Sequence, residues 1–266
     1  MRPKILCVQF RKNSESIEQE QACVVREAGV YAEVEFVDAL DESIDWHFPE
    51  TIMAPYQAVI LGGSGDYDFD GNRATDDPDR KISYEILGRL RPLFTYLFDH
   101  DVPTLGICYG HQLLGAFAGA QVRYDEEQKK SRSHEVKLMV DKHDYFLFSD
   151  LPETFYAHYG HKDALDRVPD GAVLLMNGGE ECKVSALRYK ENIYTVQFHP
   201  ELTYDDMVAR IQASPGYLPE GVVAEEVFKQ DPNSNRILRN FGKFVAMRLE
   251  TSDAPKETVA SAAVSV

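Results

Sequence analysis

Cysteine is scarce in this chain of 266 residues, and the four present, Cys7, Cys23, Cys108 and Cys182, show no C-x-x-C spacing. That excludes a disulfide scaffold and a zinc knuckle, and it makes a reducing cytoplasm the expected setting. Basic residues are also few: 28 Lys and Arg stand against 44 Asp and Glu, for a net charge of −16. Nucleic-acid binding through a broad basic surface is therefore excluded. Long hydrophobic runs are missing too. The apolar stretch near the N-terminus spans about six residues before the charged Arg11 and Lys12, too short for a signal peptide or a membrane span. There is no Gly-x-x-x-x-Gly-Lys phosphate loop and no internal repeat.

What the chain does have is enough apolar residue, 44% of the total, for one large core. Lys4 to Phe10, Ala32 to Ala39, Ala58 to Leu61 and Pro103 to Ile107 read as strands, with helices over Ser16 to Ala28 and Ile82 to Asp99 between them. This alternation predicts an α/β fold with an open, mostly parallel sheet flanked by helices. Residues 1–250 are expected to form one catalytic domain, with an insertion at 212–233 that covers a pocket, docks a partner or is simply a loop. Residues 251–266, rich in Ala, Ser and Val, are expected to be a disordered tail.

The most informative segment is Gly106-Ile107-Cys108-Tyr109-Gly110-His111-Gln112. A strand precedes it and a helix follows, so Cys108 sits on a sharp turn whose glycines leave room for the strained backbone. A thiol at a helix N-terminus faces unpaired N–H groups and the positive end of the helix dipole, which favour the nucleophilic thiolate. The base expected for it is His199, delivered by the β-rich run Ile193 to Phe198, with Glu201 two positions on to fix the imidazole. Pro200 between them ends the strand at the sheet edge where open α/β folds carry their sites. An apolar strand running into Gly62-Gly63-Ser64-Gly65 supplies backbone donors for an oxyanion; the pair expected is the N–H groups of Gly63 and Tyr109.

Two other segments have the look of metal sites. Asp66-Tyr67-Asp68-Phe69-Asp70-Gly71 matches the opening of a calcium loop, but Ala74 and Asp77 stand at the ninth and twelfth positions and a strand precedes it. A mobile, solvated loop bordering the site is expected instead. His158-Tyr159-Gly160-His161 lacks a further ligand at metal spacing. No metal and no cofactor is expected.

The Gly-rich strand end, the Gly-x-Cys-x-Gly elbow and the terminal His-Pro-Glu together resemble the class I, triad-type glutamine amidotransferases, in matching order from residue 4 to about 205. The elbow reads as it does in the amidotransferase domain of GMP synthetase. The resemblance implies hydrolysis of the γ-amide of glutamine through a γ-glutamyl thioester, with Cys108, His199 and Glu201 as triad and Gly63 with Tyr109 as oxyanion hole. It also implies substrate contacts from Gln112, Gly62 and His161. Where the family has a glycine-aromatic stretch that grips glutamine, this chain has Ser131-Arg132-Ser133-His134-Glu135, from which Ser133 and His134 are the candidates. The expected activity is a glutaminase passing ammonia to a separate synthetase, with a γ-glutamyl hydrolase or peptidase as the alternative. A regulatory module without chemistry is disfavoured by retention of all three triad residues.

Overall fold

The computed structural model describes residues 2–213, Leu218 and residues 221–253. Eleven strands appear among them: β1 (Lys4–Gln9), β2 (Glu33–Asp38), β3 (Ala58–Leu61), β4 (Thr104–Ile107), β5 (Val122–Tyr124), β6 (Lys130–Leu138), β7 (Thr154–His161), β8 (Asp163–Leu165), β9 (Val173–Asn177), β10 (Ala186–Arg188) and β11 (Ile193–Val196). The helices are α1 (Ser14–Glu27), α2 (Pro49–Met53), α3 (Pro78–Asp99), α4 (Tyr109–Phe117), α5 (Tyr204–Ala213), α6 (Ala224–Val227) and α7 (Asn233–Asp253).

Nine strands form one sheet in the order β2-β1-β3-β4-β11-β10-β9-β6-β7, and β5 and β8 pair separately. The part from β2 to β11 is parallel throughout, which is the expected arrangement. From β11 onward the pairings turn antiparallel, an extension for which the strand–helix rhythm gave no cue.

Side chains alternate across the parallel strands, as period-2 geometry requires. Ile5, Cys7 and Ile60 face the cluster that buries Val24 and Ala28 on the α1 side and Ile237, Leu238 and Phe241 of α7. Leu6, Val8, Val59 and Leu61 face the opposite cluster, with Ile86, Leu90 and Phe94 of α3 and Leu113 and Leu114 of α4. Strands buried on both faces read as continuous apolar runs, which is why β3 and β4 were visible in the sequence. No helix among the described residues is long and apolar enough to cross a membrane.

Two expectations about the periphery change. Helix α7 runs on through 251–253, into the stretch expected to be a tail; residues 254–266 lie outside the described residues. The loop after β3, expected to be mobile and solvated, is anchored. Tyr67 and Phe69 are buried and pack on the Tyr109 ring. The buried Asp163 carboxylate accepts from the N–H groups of Asp70 and Gly71 at 2.8 and 2.6 Å. Its acidic side chains are spent on cations of the protein: Arg73 pairs with Asp68 and Asp79, and Arg80 with Asp70.

Candidate functional site

At the end of β4, Cys108 takes φ 49° and ψ −93°, a strained conformation that few non-glycine residues adopt. The flanking glycines make the turn possible. A Cβ on Gly106 would stand 2.9 Å from the Gly110 backbone, and one on Gly110 would stand 2.3 Å from the Leu61 carbonyl oxygen. Two hydrogen bonds hold the elbow in the sheet: Cys108 N–H donates to Val196 O at 2.8 Å, and Gly110 N–H donates to Gly62 O at 3.0 Å. The thiol therefore stands at the N-terminus of α4 on a backbone it cannot relax.

The neighbouring strand β11 brings the His199-Pro200-Glu201 segment alongside. His199 N–H donates to His158 O at 2.9 Å. The segment's own carbonyls are held from behind, Pro200 O and Leu202 O by Asn235 Nδ2 and Glu201 O by Arg26. His199 Nδ1 then meets Glu201 Oε1 at 2.7 Å in a setting where both residues are almost wholly buried. Burial alone would favour a neutral imidazole, but the Glu201 charge and the facing Cys108, by its charge and hydrogen bond, outweigh it and push His199 up to about 9. Burial likewise opposes ionisation of Glu201, and the imidazolium, their hydrogen bond and Arg210 overcome it, so its pKa is lowered. The result is a protonatable ring whose orientation is fixed by a carboxylate.

Cys108 opens into a cavity of about 1100 Å³ whose floor includes Ser64, Gly65, Gln112, Gly160 and His161. His199 reaches the same place from a narrow recess that shares Ser64, Gly65 and Gly160. His161 is buried, its Nδ1 donates to Asp163 O at 2.9 Å, and burial holds its pKa down to about 3. That tautomer leaves Nε2 as an acceptor, and Nε2 is buried with no hydrogen-bond partner among the described residues. Gln112 Nε2 donates to Asp163 O at 2.8 Å, so this residue lines the cavity from a fixed position.

Not every candidate faces the cavity. Ser133 Oγ contacts His158 Nδ1 at 2.9 Å and accepts from Lys229 N–H at 2.8 Å. His134 Nε2 donates to Gly178 O at 2.6 Å, and its ring packs edge-on to Tyr159. The cavity ends at Ser131 and Arg132 on β6; two further residues carry the strand about 7 Å beyond it. Gly62 is also displaced from the substrate side, because a Cβ there would meet the Glu20 carboxylate at 2.9 Å. Gly63 N–H donates to Glu20 Oε1 at 3.0 Å, which occupies the amide expected to serve the oxyanion.

Other residues enter that the motifs did not indicate. Gln197 Nε2 donates to Cys108 Sγ at 3.6 Å; a polar residue within the β-rich run Ile193 to Phe198 was the available signal. The cavity rim is charged and internally paired, Arg132 with Glu181, Lys129 with Glu126 and Lys162 with Asp68. Leu218, Val222 and Val227 line its far wall, so the segment expected as an insertion borders the pocket. Among the described residues, no group of three or more His, Cys, Asp or Glu is placed to hold a metal.

The structure thus sets a strained cysteine elbow at the edge of an open α/β sheet, facing a buried histidine–glutamate pair. Residues 11–212 match the class-I glutamine amidotransferase family, and the chain belongs to that family. It is 30% identical over 159 residues to a glutamine-hydrolysing GMP synthase subunit from Methanopyrus kandleri, covering 59% of this chain and 73% of that one. It is 32% identical over 189 residues to a GMP synthase (glutamine-hydrolysing) of Thermosipho melanesiensis, covering 70% of this chain but only 31% of that protein. A glutamine amidotransferase structure from Thermotoga maritima shares the fold with a TM-score of 0.64 at 18% identity, over 94% of this chain and 98% of the other.

Proposed function

We propose that this protein hydrolyses the γ-amide of glutamine through a γ-glutamyl thioester on Cys108 and passes the ammonia to a separate synthetase acting on a nucleotide acceptor. The observation that carries the reading is the strained turn of Cys108, which lines the cavity, facing His199 of the His199–Glu201 pair, whose ring sits in an adjoining recess. Cys108 Sγ attacks the amide carbon while His199, which already holds the proton taken from the thiol, delivers it to the departing nitrogen, so ammonia leaves neutral. Water then repeats the sequence on the thioester, releasing glutamate. Glu201 orients the ring and stabilises the imidazolium.

The oxyanion is stabilised by Tyr109 N–H, which lies in the first turn of α4 and has no intrahelical acceptor. The second donor is Gly63 N–H, which donates to Glu20 Oε1 at 3.0 Å and turns from that carboxylate to meet the oxyanion. His161 Nε2 accepts from an N–H of the substrate. Arg132 and Lys162, set among Glu126, Glu181 and Asp68, suit the paired charges of an amino-acid head group. Four free, buried cysteines fit a reducing cytoplasm.

A second reading, hydrolysis of γ-glutamyl amides or peptides without a partner, is favoured by the cavity, whose roughly 1100 Å³ is far more than glutamine fills and lies just above the usual range for ligand sites. Incubating the purified chain with glutamine and with γ-glutamyl dipeptides, and measuring ammonia against amine release, separates the two. Ammonia from glutamine supports the first reading. Amine from peptides with inert glutamine replaces it with the second, and no turnover of either overturns both.

A further inference from the structure

The carboxylate that orients His199 hangs from a turn, not from a strand. Leu202 N–H donates back to His199 O at 3.3 Å, closing four residues with Pro200 at the second position, where its fixed φ suits a β-turn. The turn carries Glu201 back to the ring, and Glu201 Oε1 meets His199 Nδ1 at 2.7 Å. That single bond across the turn leaves the carbonyls of Pro200, Glu201 and Leu202 in need of donors, because these residues are buried.

Side chains from two helices supply them. Asn235, in the first turn of α7 and 6% exposed, donates from Nδ2 to Pro200 O at 2.9 Å and to Leu202 O at 3.0 Å. An Asn amide has two hydrogens to give, so both are spent on the turn. A helix stripe that continues through the buried Leu238 and Phe241 calls for an apolar residue at 235, and the turn is what the polar one serves. Arg26 of α1 donates to Glu201 O at 2.7 Å. It also pairs with Asp206 at 2.7 Å and Glu27 at 2.9 Å, and Asp206 accepts from the N–H and hydroxyl of Thr203 just before α5. Three successive carbonyls, with Glu201 at their centre, are thus tied to α1 and α7.

We infer that Asn235 and Arg26 are positioning residues that lock the His199–Leu202 turn and so hold the Glu201 carboxylate on the imidazole of His199. The inference rests on the proposed thioester chemistry for its effect on rate, whereas its effect on the ring is read with no substrate present. Glu201 raises the pKa of His199 by its charge and hydrogen bond, so a turn free to move loosens the group that orients the ring and helps keep it protonated. The other titratable groups around the ring are Cys108, His158, His161 and the Arg11 and Arg210 side chains of its recess. Substitutions at 235 and 26 leave all of these in the chain, so a change in the ring's titration reports the Glu201 contact.

The test follows the His199 Nδ1–H proton by NMR, and kcat and KM for glutamine against pH, through wild type, Asn235→Ala, Arg26→Met, Glu201→Ala and the Asn235→Ala/Glu201→Ala double variant. In Asn235→Ala the proton shared with Glu201 is expected to exchange with solvent at least about tenfold faster. The alkaline limb of kcat, set by the ring at about 9 in wild type, is expected to move to lower pH. At neutral pH kcat is expected to fall about tenfold with KM within about twofold, and Arg26→Met to show the same pattern with a loss of about threefold. On the Glu201→Ala background, Asn235→Ala is expected to cost less than about twofold more, because the group it positions is gone. If Asn235→Ala does not fold, Arg26→Met carries the comparison: its side chain is 39% exposed, and Glu27 keeps Arg239 as a partner. Unchanged Nδ1–H exchange and ring titration in a folded variant would overturn the inference even if no glutamine is turned over. A kcat loss as large without Glu201 as with it would overturn it too, as would a variant that is only less stable, with the ring signal and the alkaline limb intact.

Discussion

The two ends of the cavity are built from different parts of the fold. At the inner end, Cys108, His199 and Glu201 hang from adjacent parallel strands and are almost completely buried. At the outer end, Arg132, Lys162, Glu126 and Glu181 come from β6 and from connecting loops, and each is paired with a neighbour of opposite charge. Rigid strands hold reacting atoms to within fractions of an ångström, whereas loops and edges vary and carry recognition. Changes at the inner end should therefore act on rate, and changes at the outer end on binding.

The largest effect expected is at the nucleophile. Cys108→Ala keeps the same strained backbone and should lose glutamine turnover by about four orders of magnitude or more, with a melting temperature close to wild type. Residual turnover within tenfold of wild type would remove Cys108 from the chemistry. Glu201→Gln should cost about a hundred- to a thousandfold, less than His199→Ala, because the base remains but loses its fixed tautomer. Equal losses would show that the carboxylate does more than orient.

The acidity of His199 gives a third comparison. With its pKa raised to about 9, the ring holds the proton the leaving nitrogen needs across neutral pH, so kcat should decline as pH rises through about 9. Glu201→Gln removes a charge that raises this pKa and should shift the alkaline limb to lower pH. The sign for stability is the same: the raised value contributes fully below the ordinary 6.5 and is lost as pH climbs through about 9. Denaturant unfolding at several pH values, wild type against His199→Ala, measures that contribution. At the outer end, Arg132→Ala should raise KM about tenfold with kcat little changed, since it leaves the reacting atoms alone. A matching fall in kcat would blur the division between the two ends.

The smallest effect is expected at Ser133, which lies beyond the cavity. Ser133→Ala strips a partner from His158 Nδ1 and from Lys229 N–H and should lower stability by about 1 kcal/mol with KM unchanged. A raised KM would return Ser133 to the substrate.

The inner end was legible in the sequence for a physical reason. Strands buried on both faces must be continuous apolar runs, and a strained turn at their end tolerates little but glycine around the nucleophile, so β3, β4, the elbow and His199 left local marks. The outer end left fewer. Whether Ser131 and Arg132 or Ser133 and His134 face the cavity depends on where β6 pairs with β7, a long-range register that no local pattern encodes. Glu20 was hidden for a related reason: a single acidic residue in a helix reads as solvated until the fold shows what lies against it. The acidic stretch after β3 looked solvated on composition, while its anchors, Asp163 and the Tyr109 ring, come from distant segments.

The central claim is that one thiol carries the γ-glutamyl group. Inactivating the purified protein with a diazoketone analogue of glutamine and mapping the adduct by peptide mass tests it most directly. The account predicts one adduct per chain, on Cys108, formed in step with the loss of activity and slowed by glutamine. An adduct on another residue, or turnover that survives complete labelling of Cys108, would contradict it.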